Sequence, residues 1–157
     1  MKGRKMVAKT FCVGLIAVLV GLLYAEHIQA AQWKEYASDS EGKHYYDKAT
    51  LTQPSPGVMS VMTSVLYGEE GKKLYLVRRQ KSGMTNAGFD RLYYRLVRYE
   101  MNCFSAAKEA TVLEVWELSR DGGTLDYAKA GKPAQWTAIP EESHLEKLYK
   151  TICPTKR

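Results

Sequence analysis

The 157-residue chain has little of what marks a catalytic or metal-binding sequence. It holds three cysteines and three histidines. There is no Cys-x-x-Cys and no zinc-type histidine pair, so local spacing gives no metal motif. Nucleophile-elbow and phosphate-loop patterns are also missing, and no cofactor is expected. No apolar run reaches the ~20 residues of a membrane-spanning helix, which excludes a polytopic membrane protein. Repeats and low-complexity linkers are absent, which leaves length enough for one domain of ordinary size. What is there is 45% hydrophobic and 25% charged, the composition of a globular protein. Eleven tyrosines stand against three phenylalanines. That ratio suits half-buried positions on a sheet with one wet face.

The N-terminus reads as an export signal over residues 1–30. Lys2, Arg4, Lys5 and Lys9 precede the apolar run Phe11 to Tyr24, and Ile28-Gln29-Ala30 offers a cleavage site before Ala31. The competing assignment is an uncleaved membrane anchor made of the same residues. Lipidation at Cys12 is rejected, because Lys9-Thr10-Phe11 is no lipobox and Cys12 starts the apolar run instead of ending it. Residues 1–30 hold four of the 23 basic and one of the 17 acidic side chains, so 31–157 carries 19 against 16, a net +3 instead of +6. Half of the basicity belongs to export, and a nucleic-acid partner loses its main support.

Within 31–157 two cysteines remain, Cys103 and Cys153. An even count in an exported chain reads as one disulfide. A reactive or metal-binding thiol pair is the alternative. His44 and His144 lie at no recognised ligand spacing from either cysteine, which disfavours a metal.

Alternating and β-branched stretches predict strands at Trp33 to Ala37, His44 to Asp47, Val58 to Tyr67, Arg91 to Phe104 and Thr111 to Ser119, with a short piece at Leu125 to Tyr127. Gly68-Glu69-Glu70-Gly71 is read as a hairpin turn leading into a further strand, Lys73 to Gln80. Val97, Tyr99, Met101 and Cys103 share one face. Pro140 followed by Glu141 and Glu142 predicts a helix start. Leu145, Leu148, Tyr149 and Ile152 then form an amphipathic stripe that Cys153 continues. Strands first and one helix last predicts an α+β fold on an antiparallel sheet.

Trp33, Tyr45-Tyr46-Asp47 with Leu51, the strand from Val58, Glu100-Met101-Asn102-Cys103, Trp136, Ile139-Pro140 and a closing helix ending in Cys153 follow one another in an order that resembles the surface-adhesin protein E family of Gram-negative bacteria. The resemblance spans Trp33 to Cys153. It implies a twisted antiparallel sheet of about six strands, with a C-terminal helix tethered by a disulfide to the concave side. It also implies an outer-membrane-associated protein that binds host matrix proteins. The missing lipobox departs from the family's pattern.

No catalytic group is assigned. Ser143 and His144 with Glu141, Glu142 and Glu146 are read as a solvated helix face, since helix neighbours do not point at one another. Asp47 is read as a turn cap before Ala49 to Leu51. The candidate partner surface is Leu92, Tyr94 and Leu96 on the face opposite Cys103, with Lys72, Lys73 and Lys81 flanking the neighbouring strand. Arg78 and Arg79, on opposite faces of that strand, would not share a patch. The three apolar side chains would meet a second copy or another protein, or lie under the loop Lys81 to Ala87 or the N-terminal segment. The expectation is a noncatalytic exported binding module, in the periplasm or on the outer surface of a Gram-negative cell, that engages an extracellular or surface macromolecule. The alternative is a periplasmic accessory protein that binds another envelope protein. No nucleic acid is expected, and membrane association only through the export segment.

Overall fold

The computed structural model describes residues 30–131 and 135–153. The predicted export segment, apart from Ala30, lies outside the described residues. Among the described residues no helix is long and apolar enough to cross a membrane.

Eight strands form one antiparallel sheet: β1 (Trp33–Ser38), β2 (Gly42–Asp47), β3 (Thr52–Ser55), β4 (Val58–Tyr67), β5 (Leu92–Asn102), β6 (Glu109–Ser119), β7 (Thr124–Lys129) and β8 (Thr137–Ala138). Their order is β1-β2-β4-β5-β6-β7, with β3 beside β4 and β8 beside β6. The six-strand path matches the expected sheet, and two short strands add to it. Among the described residues two α-helices accompany it, α1 (Glu69–Lys81) between β4 and β5, and α2 (His144–Ile152) after β8.

Period-two alternation sets which side of each strand is inner. Val61, Thr63, Val65 and Tyr67 are buried, while Met62, Ser64 and Leu66 between them are half-buried. The Thr63 hydroxyl donates to the Val97 carbonyl at 3.0 Å, which satisfies it inside the core. The inner face carries two apolar clusters. In one, Leu148 and Ile152 of α2 pack on Val61, Met101, Cys103 and Ala110. Leu148 is fully buried, and burial of such a side chain contributes about 1.5–3 kcal/mol. The Cys103–Cys153 disulfide lies in this cluster and ties α2 to the sheet. In the other, Tyr75 and Leu76 of α1 pack on Val65, Tyr67, Phe89 and Leu92.

Three expectations are corrected. Lys73 to Gln80 is helix, not strand. Its inward stripe is Lys72, Tyr75, Leu76 and Arg79, at i, i+3, i+4 and i+7, and two of these four are charged. Charge hides the apolar periodicity of α1, while Glu69 and Glu70 in the first turn and Arg78, Arg79 and Lys81 in the last suit its dipole. Gly71 lets the helix start close to the sheet, because a Cβ there would sit 1.8 Å from the Glu41 carbonyl oxygen. Second, α2 starts at His144 and not at Pro140. Ser143 caps it by accepting from the Glu146 amide at 3.1 Å. Third, Leu92 does not share a face with Tyr94. The β5–β6 register shifts between them, and Leu92 turns into the second inner cluster.

Candidate functional site

The outer face of the sheet carries a continuous row of side chains. Register pairs Tyr45 with Ser64, Ser64 with Leu96, Leu96 with Trp116, and Trp116 with Tyr127. Directly paired residues lie on the same side of a sheet, so these five project together across β2, β4, β5, β6 and β7. At ~4.8 Å per strand the row spans about 19 Å. Beside it Leu66 pairs with Tyr94. Trp33, Tyr45, Leu66, Tyr94 and Leu96 line a shallow groove of about 410 Å³. Trp33 is 41% and Tyr127 47% exposed. The next row is charged: Arg98 pairs with Glu114 at 3.5 Å, and Lys129 with the same carboxylate at 3.3 Å. Glu35 and Lys43 close the other edge at 3.4 Å. Both helices pack on the inner face, so among the described residues no helix covers this one.

The sequence-predicted surface residues divide between the two faces. Tyr94 and Leu96 are on the outer row; Leu92 is inside. Lys72, Lys73 and Lys81 belong to α1 on the inner side and do not flank an outer strand. The Lys72 ammonium donates to the Asp90 carbonyl, and Lys73 and Lys81 are exposed. Arg78 pairs with Glu41, while Arg79 is buried against the Phe89 ring at 3.9 Å and donates to Asp126 at 2.7 Å. The basic stretch is thus partly consumed in holding α1 down. The loop after α1 folds back on that helix, with the Asn86 amide donating to the Leu76 carbonyl at 3.1 Å, away from Tyr94 and Leu96. Trp33, Tyr45, Trp116 and Tyr127, absent from the sequence-predicted surface, complete it. The signal that finds them is cross-strand register, which needs the strand pairing as well as each strand's alternation.

On the inner face, between the two helices, a polar seam contains a cavity of about 430 Å³ lined by Asp39, Glu41, Tyr75, Arg95, Tyr99 and His144. The turn between β1 and β2 aims Asp39 into it, because the carboxylate accepts from the Glu41 and Gly42 amides at 2.8 and 3.3 Å. Burial works to raise the Asp39 pKa, but the facing His44 ring and these two amides outweigh it and hold the carboxyl below the usual carboxylate range. His44 projects inward from β2 and is fully buried. Its Nε2 lies 3.0 Å from Asp39, too poorly aligned for a hydrogen bond, and neither ring nitrogen has a hydrogen-bond partner. The His144 ring stacks on it with centroids 4.3 Å apart and planes 15° from parallel. His144 Nδ1 is 3.7 Å from the other Asp39 oxygen. Burial first, and then the neighbouring His44, lowers the His144 pKa despite the Asp39 charge. Deeper in the seam Glu117 is buried, accepts from the Tyr75 hydroxyl at 2.6 Å, and is raised above its usual range by burial.

The expected solvated face of α2 is corrected here. His144 is half-buried against His44. Glu146 is buried and accepts from Lys108 at 2.7 Å, Lys150 at 3.1 Å and the Glu142 amide at 3.0 Å. Asp47 does cap a turn, as expected: it accepts from the Ala49 amide at 3.0 Å and from the Gln32 amide at 2.7 Å. Asp39, His44 and His144 bring three metal-type donors within 4.8 Å of one another. Sequence reasoning missed this group because its two histidines are a hundred residues apart.

No protein-family model and no curated protein matches the chain. Among solved structures it is similar to Haemophilus influenzae protein E, at a TM-score of 0.46 and 13% identity, over 80% of this chain and 86% of that one.

Proposed function

We propose that the chain is a noncatalytic exported binding module, and that its outer sheet face engages a protein of the extracellular matrix or of a cell surface. The observation that carries this reading is the row Tyr45, Leu96, Trp116 and Tyr127 with Trp33 and Tyr94 beside it, which no helix among the described residues covers and which the Arg98–Glu114–Lys129 and Glu35–Lys43 pairs edge. An aromatic centre with a charged rim is the anatomy of a protein-binding patch. Trp and Tyr offer large rigid contact area at low entropy cost, and a patch this apolar is costly to leave in water. Export accounts for the single disulfide, which persists in oxidising compartments.

Surface labelling of intact cells expressing the chain, followed by fractionation, tests the reading. It predicts labelled protein at the outer surface. Protein confined to the periplasm would overturn the extracellular partner and favour the accessory reading, in which the same face binds another envelope protein.

A further inference from the structure

We propose that Asp39, His44 and His144 bind a divalent transition-metal ion, Zn²⁺ being the best match, with a coordination position open to the inner cavity. The inference stands apart from the binding-module reading, because it concerns the opposite face of the sheet. Three observations carry it. The first is the donor set: two imidazoles and one carboxylate suit zinc and its neighbours, and three protein ligands with one free position form a recurring zinc arrangement. The second is spacing. Donors at ~2.05 Å from a tetrahedral ion lie about 3.3 Å from each other. The His44–Asp39 and His144–Asp39 separations of 3.0 and 3.7 Å bracket that value. An imidazole bonds a metal in its own plane, so two rings 15° from parallel cannot both aim at one ion as they stand. Binding therefore takes the half-buried His144 ring out of the stack, turning its nitrogen toward His44 to close the third pair from within 4.8 Å.

The third observation is the state of the buried His44 ring. His44 is fully buried and neither of its ring nitrogens has a hydrogen-bond partner. A buried polar atom left without a bond is costly, and a metal bond to Nε2 satisfies the nitrogen that faces Asp39. The surroundings fit a cation. Asp39 is fixed by two backbone amides, so its carboxylate is oriented before the ion arrives. The nearby Arg95 guanidinium is drawn to Glu41, 3.8 Å away, and lies over the Tyr67 and Tyr75 rings. The disulfide holds α2, and with it His144, against the sheet.

The test uses tag-free exported protein with its disulfide intact, stripped with chelator and titrated with ZnCl₂ by calorimetry and with CoCl₂ by visible absorption. The proposal expects one ion per chain and cobalt ligand-field bands without a thiolate charge-transfer band. His144→Ala and Asp39→Asn should each weaken binding by about 100-fold or more, since loss of an outer partner alone costs ~10–100-fold. Both positions reach solvent, so these variants should keep the wild-type circular dichroism; His44→Gln, in the core, is a third arm read only if it folds. Absence of binding by the wild-type protein at 100 µM Zn²⁺ (about ten times a 10 µM Kd) would overturn the proposal. So would binding that survives both His144→Ala and Asp39→Asn unchanged, since the ion would then sit elsewhere.

Discussion

Removing the Cys103–Cys153 cross-link should cost about 4 kcal/mol. The two cysteines are 50 residues apart. Closing a loop of that size in the unfolded chain removes roughly 14 cal/mol/K, or about 4 kcal/mol at 25 °C. Both residues are buried, with Val61, Met101, Leu148 and Ile152 around them, so a hydroxyl placed there adds a desolvation cost of about 1 kcal/mol or more. Cys103→Ala/Cys153→Ala isolates the cross-link, and Cys103→Ser/Cys153→Ser adds the polar cost. For a domain of this size, 4 kcal/mol lowers the melting temperature by roughly 15 °C. Calorimetry of exported wild type, wild type with reductant, and the two double variants gives the comparison. Non-reducing mass spectrometry should first show the linked Cys103–Cys153 peptide. A double-alanine variant that melts within about 3 °C of wild type would refute the reasoning. Two free thiols in the exported protein would refute it outright.

Two further outcomes follow from the chain ends. N-terminal sequencing of the exported protein should begin at or near Ala31, and an intact Met1 in the membrane fraction would instead establish an anchored chain. Glu146 gives the domain an acid-sensitive lock on α2. Lys108 foremost, then the Glu142 amide and Lys150, hold its pKa down to about 2 from an unfolded value near 4.5. A carboxylate lowered on folding stabilises above its unfolded pKa, so this contribution is present above about pH 4.5 and is lost as pH falls toward 2. Thermal melts of Glu146→Gln should show a shallower decline across that window than wild type, and parallel profiles would refute the assignment.

The strands are readable because β-branched and aromatic residues recur along them with a period of two. Val58 to Tyr67 is the clearest case, since Val61, Thr63, Val65 and Tyr67 point one way throughout. The stripe of α2 was equally open to reading: Leu148 and Ile152 are buried, and Leu145 and Tyr149 pack against them. Helix α1 was hidden because its inward side uses Lys72 and Arg79 as well as Tyr75 and Leu76, while Leu74 and Val77 face water. Alternation alone puts Leu92 on the face of Tyr94, and the register shift between them, which no local pattern announces, turns it inward. The partner surface was half legible: Tyr94 and Leu96 follow from one strand, whereas Tyr45, Trp116 and Tyr127 join them only through pairing. The His44–His144 stack was not legible at all, since no local rule links β2 to the start of α2.

Binding through the outer face is most directly tested by one charge placed in the row. Trp116→Lys sets an ammonium between Leu96 and Tyr127 without touching either inner cluster. Purified exported wild type and the variant are titrated against immobilised extracellular-matrix protein, with light scattering of both in parallel to detect a second copy as the occupant. The account predicts saturable binding by wild type and a loss of at least about 30-fold in the variant, equivalent to about 2 kcal/mol at a hot spot, while its melting temperature stays within a few degrees. Equal affinity of the two proteins, or a wild type that binds nothing offered and stays monomeric, would contradict it.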